Sequence, residues 1–214
     1  KGTGFLDTLI KKIQTRLHQF VAFVIKKYTE QAFKLAKKVY GDLEKNDLNE
    51  AKLKNALEGK GVKIKTYENT TTGTGIQALT KCLADIIDSL STVDDISTKE
   101  IDEKFKAVLG KEVEVDVTSQ LIDIKAGATE FKELCEDAEN RLALLLGSYK
   151  TDKAEDSKEN AKKANFVALK GRVAITTAMR YAGKQATRIA IAYGTAIRTA
   201  KKAIAKATKS EDEE

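Results

Sequence analysis

From Lys158 to Lys209 the small and apolar residues keep to one side of a helix without interruption. Ala164, Ala168, Gly171, Ile175, Ala178, Ala182, Ala186, Ile189, Tyr193, Ala196, Ala200, Ile204 and Ala207 follow one another by three or four places and never meet a charge, which is the period of a single helix face. Lys162, Arg180, Lys184, Arg188, Arg198, Lys202, Lys206 and Lys209 fall roughly opposite. One continuous helix here would be about 75–80 Å long at ~1.5 Å per residue. A small globule cannot enclose a rod of that length, so the other segments must lie along it. The expected class is all-α: an elongated antiparallel helical bundle built on two long helices, with a small loop and extended head insertion. Residues 1–209 are expected to form one domain, and residues 210–214 an acidic, disordered tail.

The opposite end of the chain supplies the second long helix, expected over residues 5–58. Leu6, Ile10, Ile13, Leu17, Val21, Val24, Tyr28, Leu35, Val39 and Leu43 form its stripe, widened by Phe5, Leu9, Phe20 and Phe23. A bulky first helix suits an alanine-rich last one, because small side chains let backbones approach and large ones fill what remains. Gly41 is a candidate break, and Gly59 and Gly61 a candidate stop. No proline occurs anywhere in the chain, so nothing imposes a kink.

Between these ends the period changes twice. Val62, Ile64 and Thr66 alternate with Lys63, Lys65 and Tyr67, and Val113, Val115 and Val117 alternate with acids. The two stretches are expected to pair as a small two-stranded element, which alone would be marginal. A helix carried by Ile76, Leu79, Leu83, Ile86 and Leu90 follows the capping pair Thr74 and Gln77; a shorter one, over about 98–109, follows Ser97 and Glu100. Ser119 is expected to cap the next helix, whose heptad seam runs through Leu121, Ile124, Ala128, Phe131, Cys135, Ala138, Leu142, Leu145 and Tyr149.

The charge is segregated. Residues 1–65 carry 15 basic and 7 acidic side chains, a balance of +8; residues 66–157 carry 10 and 20, a balance of −10; residues 158–209 carry 13 and 1, a balance of +12. A nucleic-acid or anionic-membrane surface is one reading. The reading preferred here is that the acidic middle lies between two basic helices and neutralises them within the bundle, so no nucleic-acid partner is expected. No run of 18 uncharged apolar residues is present, so no membrane-spanning helix is expected. The sequence starts at Lys1 rather than Met; a processed form is expected, in which neither a signal peptide nor an anchor signal is visible.

Motifs for chemistry are scarce. Gly73-Thr-Gly75-Ile-Gln-Ala78 spells a dinucleotide fingerprint, with Asp94 and Asp95 about 20 residues on. That motif needs a βαβ unit, and no second parallel strand follows. His18 is the single histidine and falls away from the stripe of its helix. No catalytic residue, metal site or cofactor is therefore assigned, and the chain is expected not to be an enzyme. Asn69-Thr70-Thr71 is a sequon in a polar, glycine-rich loop, which makes Asn69 a candidate glycosylation site. The loop residues Tyr67, Glu68, Asn69, Thr70, Thr71, Thr72 and Thr74 are the candidate partner-binding surface, since recognition favours loops on a rigid scaffold.

Cys82 and Cys135 lie on two helices joined through residues 91–118. In an antiparallel hairpin with its apex there, the two would be level, and a disulfide between them is expected; two buried reduced thiols are the alternative. Such a bond would place the protein outside the cytosol.

The long first and last helices, the alanine- and lysine-rich last segment, the loop at Glu68–Gly75 with its sequon and the Cys82/Cys135 pair together resemble the elongated helical surface proteins of trypanosomes. These are the glutamic-acid/alanine-rich and invariant surface proteins and, more distantly, the amino-terminal domain of variant surface glycoproteins. Helical lipoproteins of spirochaetes share much of this texture. The resemblance implies a bundle held at the cell surface by a lipid at its C-terminus, with loops at the membrane-distal end. On that basis the chain is expected to be a non-enzymatic extracellular rod, a coat or spacer with a recognition or shielding loop. Its partner would be a host or vector protein or a glycan, and its contact with the membrane would run only through an anchor. The alternative is an amphipathic bundle that binds lipid or a membrane surface.

Overall fold

The computed structural model describes residues 3–70, 76–116, 124–150 and 156–211. The chain is mostly all-α, and its described residues form a helical bundle of six α-helices and one two-stranded sheet. The elements are α1 (Thr3–Lys45), α2 (Glu50–Leu57), β1 (Lys63–Tyr67), α3 (Ile76–Ser89), α4 (Thr98–Leu109), β2 (Glu112–Asp116), α5 (Ile124–Ser148) and α6 (Ser157–Glu211). Helix α6 has 55 residues and therefore spans about 80 Å.

The first helix ends at Lys45, short of the expected span to residue 58. Gly41 stays helical, and the break falls at residues 46–49. There Asp47 takes a left-handed φ of 52°, and Asn49 opens α2 by accepting a hydrogen bond from Lys52 N at 2.8 Å. Short polar side chains tolerate the left-handed region and make good helix caps, which is why the reversal sits on them and not on Gly41. The stop beyond α2 falls where expected, with Gly59 at φ 70° and Gly61 at φ 63°. Of the residues expected to widen the α1 stripe, Phe5 and Phe23 instead point to solvent, 66% and 64% exposed.

The two long helices run in the same direction. Arg172 lies 5.3 Å over the Phe20 ring, Tyr28 faces Gly183, and Leu35 and Asn46 share a groove with Thr187 and Lys201. Helix α5 runs against both of them. On α1, Asp7 pairs with Lys150 at 3.2 Å and His18 with Glu139 at 2.6 Å; Leu142 meets Gly171 on α6. Helix α3 lies parallel to α5, because Asp88 near its end pairs with Arg141 near the end of α5 at 3.1 Å.

Two apolar cores lie along α6. The larger joins Leu6–Val24 of α1 to α3, α4, α5 and the first half of α6, around Phe105, Phe131, Leu142 and Ile175. The smaller joins Val39 and Leu43 to Leu53, Leu57, Ile64, Ile189 and Tyr193. Small residues on α6 accept bulky partners, as the composition of the helices predicts. A Cβ on Gly171 would stand 2.6 Å from Leu142 Cδ2, and one on Gly183 would stand 3.0 Å from Tyr28 Cε1.

The strands expected to pair do so. They are antiparallel, with Lys63 opposite Asp116 and Tyr67 opposite Glu112. The cap at Ser97 is also as expected: Glu100 N donates to its Oγ at 3.1 Å, and Ser97 N donates to Glu100 Oε2 at 2.7 Å. The expected caps Thr74 and Ser119 lie outside the described residues. Of the expected tail, Ser210 and Glu211 belong to α6 and residues 212–214 lie outside the described residues.

Gly171→Ala should destabilise the protein by about 1–3 kcal/mol, because the added methyl must displace a fully buried leucine. Gly41→Ala, where a Cβ meets nothing within 4 Å, should stabilise it by about 0.4–1 kcal/mol. Urea unfolding of the two variants checks the contrast in sign.

Candidate functional site

The most elaborated polar region is where β1, β2 and α4 dock on the middle of α6. Arg180, Tyr181, Lys184, Gln185 and Arg188 recur at helical spacing and face the incoming elements. Asp102 of α4 receives the Tyr181 hydroxyl at 2.8 Å, together with the Arg180 guanidinium and Lys106. Glu112 of β2 receives Lys184 at 3.1 Å and the Arg188 guanidinium. The Tyr67 ring meets Tyr181 edge-on with centroids 6.0 Å apart, and the Arg188 guanidinium stacks 5.2 Å from the Tyr67 centroid. Such contacts attract through the ring quadrupole.

Beneath them lies a buried polar pair, in which Gln185 Nε2 donates to Thr66 Oγ1 at 2.7 Å. The pair sits between the two apolar cores and fixes the height of β1 on α6. Charge tuning follows from these partners. Hydrogen bonds from Arg188 and then Lys184 hold the Glu112 carboxyl down at about 2. Lys106 is the main cause that lowers Asp102. Burial, followed by the hydrogen bond to Asp102, raises the Tyr181 hydroxyl.

This geometry corrects the candidate loop at its first residue. Tyr67 is not at an exposed tip; it is buried against α6, because β1 ends with its ring under two cations. Glu68 and Asn69 are exposed in a single 3-10 turn over Glu68–Thr70. Glu68 N donates to Lys111 O at 2.8 Å and Asn69 Nδ2 donates to Val108 O at 2.8 Å, so the sequon amide ties the turn to the end of α4. Gly110 permits that approach: its φ is 75°, and a Cβ there would stand 3.1 Å from Glu68 Cβ. Thr71, Thr72 and Thr74 lie outside the described residues.

The cysteines are a second correction. Cys82 and Cys135 are both buried and both free. Their helices are parallel rather than a hairpin, and the two thiols face different neighbours. Cys82 is within electrostatic reach of Lys104 on α4, whereas Cys135 is within reach of Tyr28 on α1. Burial raises both thiols, Cys135 to about 12, and a protonated thiol is a poor nucleophile.

Sequence reasoning places Lys184 and Arg188 on the outward face and does not single out Asp102, Glu112, Thr66 or Tyr181. The usable signal is the segregation of charge. Acids of the middle segment do meet cations of α6 in succession: Asp94 with Lys163, Asp95 with Lys170, Asp102 with Arg180, and Glu112 with Lys184 and Arg188.

Among the described residues no group of three His, Cys, Asp or Glu side chains is placed to hold a metal ion. No described helix is long and apolar enough to cross a membrane. Fold and site together define a helical bundle with a small sheet clasped to its longest helix. Compared with models of protein families, with curated proteins and with solved structures, the chain matches none of them.

Thr66→Ala should cost about 1–3 kcal/mol, because it leaves a buried amide without its partner, while the double change Thr66→Val with Gln185→Leu should be far milder. Thermal unfolding of the single and double variants tests this. For Glu112 the folded value lies below the ordinary 4.5, so its contribution is full above that value and is lost as the pH falls towards about 2. Urea midpoints measured between about pH 5 and pH 2 should fall less steeply in Glu112→Gln than in the parent.

Proposed function

We propose that this chain is a non-enzymatic protein of the cell exterior, an elongated rod built on α1 and α6 that carries a recognition or shielding loop at its membrane-distal end. The observation that carries this reading is the mounting of the head on the shaft. Asp102 of α4 and Glu112 of β2 pair with cations of α6, an arrangement that positions the turn between β1 and α4. A 55-residue helix common to both cores suits a spacer. The turn at Glu68–Asn69, with the residues that follow it, is the part offered to a host or vector protein or a glycan. The resemblance to trypanosome surface proteins supports the same compartment and implies attachment through a lipid anchor.

A second reading is favoured by one specific feature. Phe5, Phe23 and Phe33 are exposed on α1, and Lys26, Lys34 and Lys37 are exposed beside them. Aromatic rings flanked by lysines are what an interfacial helix presents to an anionic bilayer. Flotation with vesicles of phosphatidylcholine and phosphatidylglycerol separates the two readings, since a coat rod should stay in the unbound fraction.

For the rod itself, a compact chain of this length would have a radius of gyration of about 17 Å. Small-angle scattering should give a clearly larger value, and a value near 17 Å would overturn the reading. Antibodies raised against residues 68–74 should label intact, unpermeabilised cells that display the protein.

A further inference from the structure

Between the upper parts of α1 and α6 runs a groove of about 390 Å³. Leu35 and Val39 of α1 and Ala190 and Ile197 of α6 line it with apolar surface. Ile191 stands on its edge 65% exposed and adds apolar surface to its rim. Glycine explains why the groove is open. At Gly171 and Gly183 an added Cβ would press on Leu142 or Tyr28, but at Gly194, in the groove wall, it would meet nothing within 4 Å. Close helix packing therefore accounts for the first two glycines and not for the third.

The polar rim is lopsided. Lys38, Arg198 and Lys201 line the groove against one acid, Asp42. Lower on α6, Lys163, Lys170, Arg180, Lys184 and Arg188 are all ion-paired. Among the described residues, Lys38, Arg198 and Lys201 form no ion pair, and Arg198 donates to the Thr195 hydroxyl at 3.2 Å. A positive rim over an apolar trough is complementary to a molecule with an anionic head and an apolar body.

The dimensions narrow the class further. From Leu35 to Asn46 the α1 wall is about 16 Å long at ~1.5 Å per residue. An extended alkyl chain with C–C bonds of ~1.5 Å advances ~1.3 Å per carbon, so about a dozen carbons match it. The volume lies in the usual range for small ligands, whereas a partner helix about 10 Å across needs a broader seat.

We infer that this groove binds an anionic amphiphile with a single acyl chain, the chain lying between α1 and α6 and its carboxylate or phosphate head held by Arg198 and Lys201. A guanidinium beside an ammonium suits either head chemistry. The groove is separate from the exposed phenylalanines: Leu35 is two positions, roughly 200°, round the helix from Phe33.

Calorimetric titration of the full chain below the micellar range tests the inference with laurate, dodecyl phosphate, dodecanol and inorganic phosphate as probes. Laurate and dodecyl phosphate should each bind at one saturable site. Dodecanol should bind at least ~10-fold more weakly, and phosphate alone should not bind. Gly194→Leu, which fills the trough, should weaken laurate at least ~10-fold while the thermal midpoint stays level or rises. Arg198→Gln with Lys201→Gln changes exposed positions only, so it decides the matter even if Gly194→Leu does not fold; it should bring laurate down to the affinity of dodecanol. Absence of saturable laurate binding, or laurate binding unchanged in these variants, overturns the inference. So does uptake confined to phosphatidylglycerol vesicles and unaffected by Gly194→Leu, which would assign lipid contact to the α1 surface. Tighter binding of laurate than of dodecyl phosphate identifies the source as a free fatty acid, and the reverse as a single-chain phosphate amphiphile of the lysophospholipid kind.

Discussion

Leu142 of α5 occupies the space that a side chain on Gly171 would need, with its Cδ2 2.6 Å from where that Cβ would lie. This contact sets how deeply α5 sinks against α6, and the depth of α5 decides what else can be buried. With the two backbones close, Phe131, Leu134, Ala138 and Leu146 reach the interior shared with α1 and α3. Dispersion falls off steeply with distance, so a displacement of even ~1 Å would weaken many such contacts together. Tyr28 against Gly183 repeats the device one to two turns short of the upper core. An alanine-rich helix is well suited to the centre of such a bundle because it is nearly all backbone.

Charge does a different task from packing. The cations of α6 are met in order by acids carried in on the loop before α4, on α4 itself and on β2. Single exposed pairs of this kind are worth little, commonly under ~1 kcal/mol. Their value here lies in register: a slide of α4 by one turn along α6 would take Asp102 away from both Arg180 and the Tyr181 hydroxyl. The buried Thr66–Gln185 bond sharpens the same selection, since a slip would leave a polar group unpaired in an apolar setting.

Features set by near neighbours are legible in this sequence, and those set by long-range packing are much less so. The Ser97–Glu100 box, the alternation around Ile64 and Val115 and the stripe through Ala178 and Ala196 each depend on neighbours within a few residues, and each appears in the structure. The direction of α1 relative to α6 depends on how many segments intervene and where each one turns, which no local period encodes. The facing of Cys82 and Cys135 failed for the same reason: a level spacing says nothing about azimuth once the helices prove parallel. The polar residues after Tyr67 suggest a loop, although an aromatic at a strand end is equally ready to be covered. Its cover comes from Arg188 and Tyr181, more than a hundred positions away. The break falls at Asp47, next to the capping side chain of Asn49, because short polar side chains as well as glycine accept the left-handed region.

The pairing of Tyr67 with Glu112 means that the chain leaves the sheet and returns to it at the same rung. Everything between these residues, including α3 and α4, is in path terms an excursion from a hairpin. The scaffold of α1, α2, the two strands, α5 and α6 would be continuous without it. Closure entropy grows only slowly with loop length, so lineages could lengthen or shorten this excursion without changing the position of either strand. What restrains them is coverage. Leu79, Leu83 and Ile87 of α3 are almost wholly buried, and losing them would uncover the side of α5 and α6 that they protect. The excursion is thus separable in connectivity but bound in packing, and variation is most easily accepted at its outer turn.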